Sequence, residues 1–187
     1  MVDKKESAHI ITHSKYKYGQ DQSLKRWFKH AFYFTQPSRF FAKSDYDLIA
    51  DAVKQAEEGH IGEIQVVIEA HLPIKMAFYQ NPTHRARQLF AELGVWDTEH
   101  NSGILLYINL CESRVEIVFD RGVQQHTEAE RWSTICQNII IKMQKQQYTS
   151  AIQQGVQEIG SVLKQYYSDL RIQDENINEL SNQPTIL

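Results

Sequence analysis

Two rhythms of apolar residues run through this chain and divide it into helices and strands. Apolar side chains return at spacings of three and four in some stretches, and crowd into short unbroken runs in others. In "SLKRWFKHAFYF", about residues 23–34, Leu24, Trp27, Phe28 and Ala31 keep helical spacing while Lys25, Arg26, Lys29 and His30 fill the other sides. That pattern predicts a basic amphipathic helix. A second helix is predicted over 45–58, opened by Ser44 with Asp47 as a capping pair and closed at Gly59. Pro82 introduces a third, "THRARQLFAEL", stopped by Gly94. Thr127 with Glu130 forms a capping box ahead of the stripe Trp132, Ile135, Cys136, Ile139, Ile140 and Met143. A last helix, about 149–167, carries Ile152, Val156, Ile159, Leu163 and Tyr166.

Between the helices lie stretches rich in β-branched and apolar residues. "GEIQVVIEA" reads as a buried strand bounded by Gly62 and Pro73, and Ile104 to Leu110 and Arg114 to Phe119 read as a hairpin turning at Glu112 and Ser113. Because Arg114 and Glu116 alternate with apolar residues, one face of the last strand is expected to be less buried. The element order predicts an α/β sandwich, a mixed β-sheet flanked by helices in a single domain. The domain is placed at 44–168, after a basic N-terminal extension (1–43) that carries the amphipathic helix. A polar C-terminal tail (169–187) follows it, and residues 1–20, polar and aperiodic, are expected to be mobile.

Topology then predicts a site. A helix between the strands at 62–69 and 103–109 favours a parallel crossover, so both begin at one sheet edge, and the hairpin returns Phe119 and Asp120 to it. The edge would gather Glu63, Asp97, Glu99, Asn101, Asp120 and Arg121. Close carboxylates favour a bound cation, Ca2+ or Mg2+, or a raised pKa. The alternation in "WDTEHNSG", residues 96–103, does not make an EF-hand, since Ser102 and Ile108 stand where Gly and Glu are required. The competing expectation is a plain turn before a strand, with Arg121 pairing one of the acids.

Charge separates the ends. Residues 1–43 hold nine Lys or Arg against three Asp or Glu, within a formal net charge of −3, so the remainder stands at −9. An acidic body disfavours nucleic acid as a partner. The basic helix is the one stretch suited to an anionic surface, with Lys25, Arg26, Trp27, Phe28 and Lys29 as lipid or partner contacts, unless Trp27 and Phe28 pack on the domain instead. The opening residues lack the apolar core of a signal peptide, and no window reaches 18 consecutive apolar residues. The expected location is cytoplasmic, with peripheral contact at the inner membrane. Cys111 and Cys136 are expected to be free thiols, Cys136 within the core.

From Gly62 to about Leu163 the chain resembles the TPM domain family. The words that carry the resemblance are "GEIQVVIE", "ARQLFAELGVWDTEHNSGILLYINL", "RVEIVFDRGV" and "WSTICQNIIIKMQKQQYTSAIQQGVQEI". It is most similar to short bacterial members without a signal peptide that accompany LemA-like membrane proteins and a secreted TPM partner. The resemblance implies a β-sheet flanked by helices. It also implies one of three roles: acid phosphatase, calcium binder through acidic residues at the loop edge, or accessory protein of a membrane complex, with a LemA-like or TPM protein as partner. The family's "DNG" before its central strand stands here as Asn101-Ser102-Gly103, which removes a charged ligand. A phosphatase would draw on Asp97 or Asp120 as nucleophile or metal ligand, His100 or His126 as acid and Arg121 as phosphate clamp. The favoured expectation is a non-enzymatic accessory domain.

Overall fold

The computed structural model describes residues 9–11, 23–124, 127–167 and 178–187. Among them run β1 (His9–Ile11), α1 (Leu24–Ala31), α2 (Lys43–Ala56), β2 (Glu63–Glu69), α3 (Ile74–Ala77), α4 (Pro82–Glu92), β3 (Gly103–Asn109), β4 (Arg114–Phe119), α5 (Arg121–Gln124), α6 (Ala129–Gln144), α7 (Tyr148–Tyr167) and β5 (Thr185–Ile186). The strands form one mixed sheet in the order β1-β4-β3-β2-β5. β2 and β3 are parallel, with Glu63 opposite Gly103, and β3 and β4 are antiparallel, with Ile104 opposite Phe119.

Strands buried on both faces read as near-continuous apolar runs, which is how most of β3 is written, while β2 is buried throughout although Glu63, Gln65 and Glu69 interrupt it. Ile64, Val66, Ile68, Ile104, Leu106, Ile108, Ile117 and Phe119 share the larger core with Trp132 of α6, Val156 and Ile159 of α7, and Ile49 and Val53 of α2. On the opposite face Val67, Leu105, Tyr107 and Val118 pack with Ala86, Leu89 and Phe90 of α4. The result is the α/β sandwich expected from the pattern, with helices on both sides of the sheet.

The local details depart from expectation in three places. α2 begins two residues early, and the Asp45 carboxylate, in place of the Ser44–Asp47 pair, accepts from Ala42 N at 2.6 Å. Thr127 does not cap α6; its Oγ1 donates to Val123 O and accepts from Trp132 Nε1, each at 2.9 Å, because the indole N–H needs a partner where it is buried. Glu116 is fully buried: α4 covers that face, and Thr83 Oγ1 donates to its carboxylate at 3.0 Å. Cys111, beside the hairpin turn, is buried as well as Cys136, and burial pushes its thiol up to about 11; both are free thiols.

The chain ends are also more structured than their polarity suggested. His9–Ile11 pairs with β4, and the rest of the expected mobile N-terminus lies outside the described residues. The C-terminal tail closes the other sheet edge, where Thr185 and Ile186 pair with Val67 and Ile68, Ala70 N donates to Leu187 O at 2.9 Å and Leu187 N to Ile68 O at 3.0 Å. Backbone pairing needs no apolar rhythm, so a polar stretch can supply it.

Candidate functional site

The parallel register brings the three loop segments to one edge. Asp120 N donates to Gly103 O at 3.0 Å, and Glu63 N donates to Ser102 O at 3.4 Å. Both glycines here are packing requirements: a Cβ on Gly103 would stand 1.9 Å from Val95 O, and one on Gly122 would stand 2.6 Å from Asn101 O. Backbone thus meets backbone where ligands were expected.

The side chains take separate paths. Glu63 is buried and accepts from Leu180 N of the C-terminal segment at 3.4 Å. Asp97 is exposed, and its N–H closes a turn to Gly94 O. Glu99 is exposed, with its N–H donating to the Glu179 carboxylate at 3.1 and 3.2 Å. Asn101, at φ 52°, occupies the left-handed region that Asn tolerates, while Ser102 Oγ donates to Ile61 O at 2.9 Å. Asp120 is buried and takes Arg121 N on Oδ1 at 2.6 Å; its Oδ2 has no partner among the described residues. Arg121 is exposed and His100 half-buried, while His126 lies outside the described residues. Among the described residues no three His, Cys, Asp or Glu side chains converge as a metal-binding group.

What this edge does hold is buried acid. The Glu63 carboxyl is pushed up to about 7, chiefly by burial and further by the charge of Glu179. Glu57, just past α2, accepts from Ile64 N at 2.8 Å, and burial pushes it up to about 8 with Glu63 adding to the shift. Sequence reasoning passed over Glu57 because "EEGH" reads as a helix end. Its one available signal was a carboxylate at a helix end shortly before a buried strand.

The second predicted surface, α1, is assembled differently. Ser23 Oγ accepts from Arg26 N, Arg26 Nε donates to Ala77 O at 2.7 Å, and Ser23 N donates to Phe78 O at 3.1 Å, so the helix lies against α3. His30 is buried: Leu72 N donates to its Nδ1 at 3.0 Å, which leaves Nε2 to donate to Glu112 Oε1 at 3.0 Å. Lys29 Nζ meets the other Glu112 oxygen at 3.2 Å. Trp27 is half-buried, yet Phe28 is 51% exposed, beside Leu24 at 64% and Phe32 at 69%. Helical spacing of about 100° per residue sets Leu24, Phe28 and Phe32 on one outward stripe, with Lys25 and Lys29 next to it. Phe28 and Phe32 stack with ring centroids 6.3 Å apart. Thr83 was not singled out by sequence, and His30 and Arg114 were read only as polar positions of their elements, since their partners are remote in the chain.

Comparison with known proteins adds the family. The TPM domain model, TPM_phosphatase, matches residues 34–162. The chain belongs to the TPM domain family. Its fold is similar to that of the BA42 protein from the psychrophilic bacterium Bizionia argentinensis, with a TM-score of 0.68 and 22% identity over 79% of this chain and 96% of that one. It is also similar to the N-terminal domain of a protein from P. gingivalis, with a TM-score of 0.56 and 18% identity over 67% of this chain and 78% of that one. No curated protein matches the chain. In this TPM protein the matched region starts at Phe34, so α1 lies outside it.

Proposed function

We propose that this TPM protein is an interaction domain that docks peripherally on an anionic membrane surface through α1. The observation that carries the reading is the outward stripe of Leu24, Phe28 and Phe32 beside Lys25 and Lys29, on a helix held to the domain by His30 and Arg26. Such a helix lies in the interface plane, with rings at the acyl boundary and ammonium groups among the headgroups. Among the described residues no helix is long and apolar enough to cross a membrane, so α1 is read as lying on the bilayer. Each lysine near an anionic surface contributes about 1 kcal/mol, and each large apolar side chain fully removed from water about 1.5–3 kcal/mol. Partial burial of the stripe together with two lysines gives weak, reversible binding, as suits a domain that pairs with a membrane-associated partner.

The test is co-sedimentation with vesicles of phosphatidylcholine alone and with added phosphatidylglycerol. Binding is expected only to the anionic vesicles, lost in Phe28→Ser and weakened about 30-fold or more in the Lys25→Glu, Lys29→Glu double variant. Absence of binding to the anionic vesicles overturns the lipid reading and moves the α1 stripe to a protein partner.

A further inference from the structure

Next to the lysine side of α1 the surface opens into a cleft of about 420 Å3, lined by Lys25, Arg26, Lys29, Thr83, Glu112 and Arg114 among others. Four of these side chains are cationic. The single carboxylate, Glu112, is already engaged by His30 and Lys29. Lys25 makes no ion pair among the described residues and is exposed.

The far wall is the start of α4, an eleven-residue helix. Asn81 Oδ1 accepts from His84 N at 2.9 Å and Pro82 has no N–H, so of the first three helical residues Thr83 has the N–H left to face the cleft. Thr83 and Arg114 are both fixed to the cleft wall by Glu116, whose Oε1 accepts from Thr83 Oγ1 at 3.0 Å and from Arg114 Nη2 at 3.1 Å. Burial holds the Glu116 carboxyl above its ordinary range, against Arg114 and Thr83, which favour its charged form.

We propose that the cleft between α1 and the start of α4 binds a phosphate monoester, the headgroup of an anionic lipid whose chains lie along the Leu24–Phe28–Phe32 stripe. The inference rests on the docking reading and supplies its headgroup selectivity. Lys25 and Lys29 stand between stripe and cleft on the helix surface, so one amphiphile can reach both. Lysines serve as point charges for phosphate, and Arg114 with the Thr83 N–H supplies directed donors.

The test uses the full chain in two arms. In the first, glycerol 3-phosphate is titrated into 15N-labelled protein. Saturable shifts are expected at Thr83, Arg114 and Lys25, with affinity reduced at least five-fold in Arg114→Gln and in Lys25→Gln, while Phe28→Ser binds as the parent does. Lys25 is exposed and makes no ion pair among the described residues, so its variant keeps the fold even where Arg114→Gln does not. In the second arm, vesicles containing phosphatidic acid are compared with phosphatidylglycerol vesicles of equal surface charge. A preference for phosphatidic acid that Lys25→Gln removes supports the proposal. Shifts without that preference assign the cleft to a soluble phosphate ester and overturn the lipid source. No saturable shift at Thr83 overturns the cleft, and vesicle binding that persists then leaves the α1 reading standing by itself.

Discussion

His30 and Glu112, separated by 82 positions in the sequence, meet at 3.0 Å where α1 crosses the hairpin turn. The imidazole has one nitrogen on the Leu72 N–H and the other on the Glu112 carboxylate, so it links a helix outside the family match to the sheet. Removing it leaves a buried N–H without a partner. His30→Ala is therefore expected to lower stability by about 1–3 kcal/mol in urea unfolding and to speed hydrogen exchange at Leu72.

The same contact sets an acid limit on α1. The Glu112 carboxyl is held below its ordinary range, first by the His30 hydrogen bond and then by Lys29, against the opposing effect of burial. A depressed carboxylate stabilises the folded state above the unfolded pKa of about 4.3, and that contribution disappears as pH falls through the folded value. The packing of α1 is expected to loosen below about pH 4 by this route, read from Trp27 fluorescence in a variant in which Trp96 and Trp132 are replaced by Phe. Glu112→Gln should remove this pH dependence.

Glu57 and Glu63 act in the opposite direction. Their folded values, about 8 and about 7, lie above the unfolded carboxyl value, so the folded state holds protons that the unfolded chain releases. Their contribution is complete below about pH 4 and is lost as pH rises through 7 and 8. Chemical denaturation is expected to show stability falling from about pH 4.3 and levelling off above about pH 8, and Glu63→Gln to flatten the slope.

Gly103 is fixed by Val95, whose carbonyl would lie 1.9 Å from any Cβ placed there. Backbone cannot yield as a side-chain tip can. Gly103→Ala is expected to cost about 3 kcal/mol or more in unfolding free energy, well above Gly94→Ala, where open space leaves only the strain of φ 68°.

Much of this molecule is written locally. The β-branched stretch "EIQVVIE" and the stripe from Trp132 to Ile139 each state their own element, and the 62–69 to 103–109 crossover followed by a hairpin gave both the β2–β3 register and the shared edge. Side-chain direction at that edge was not legible. Glu63 and Asp120 are buried, while Asp97 and Glu99 face solvent, and what separates them is how Gly103 and Gly122 bring backbone to backbone. Nor could spacing show that polar residues 185–186 would add a strand, or that Glu116 would be covered by Thr83, because both depend on contacts between distant segments. For α1 the sequence offered lipid contact or packing on the domain. The helix packs on the domain through His30, and Phe28 stays outward.

The most direct measurement of the docking reading is paramagnetic relaxation in the 15N spectrum of the protein bound to anionic nanodiscs carrying a spin-labelled lipid. Strong relaxation is predicted at Leu24, Phe28 and Phe32, extending to exposed Ile74 and Tyr79 on and beside α3, with residues 97–103 and α7 unaffected. Relaxation centred on the acidic edge, or none on α1, would contradict the account.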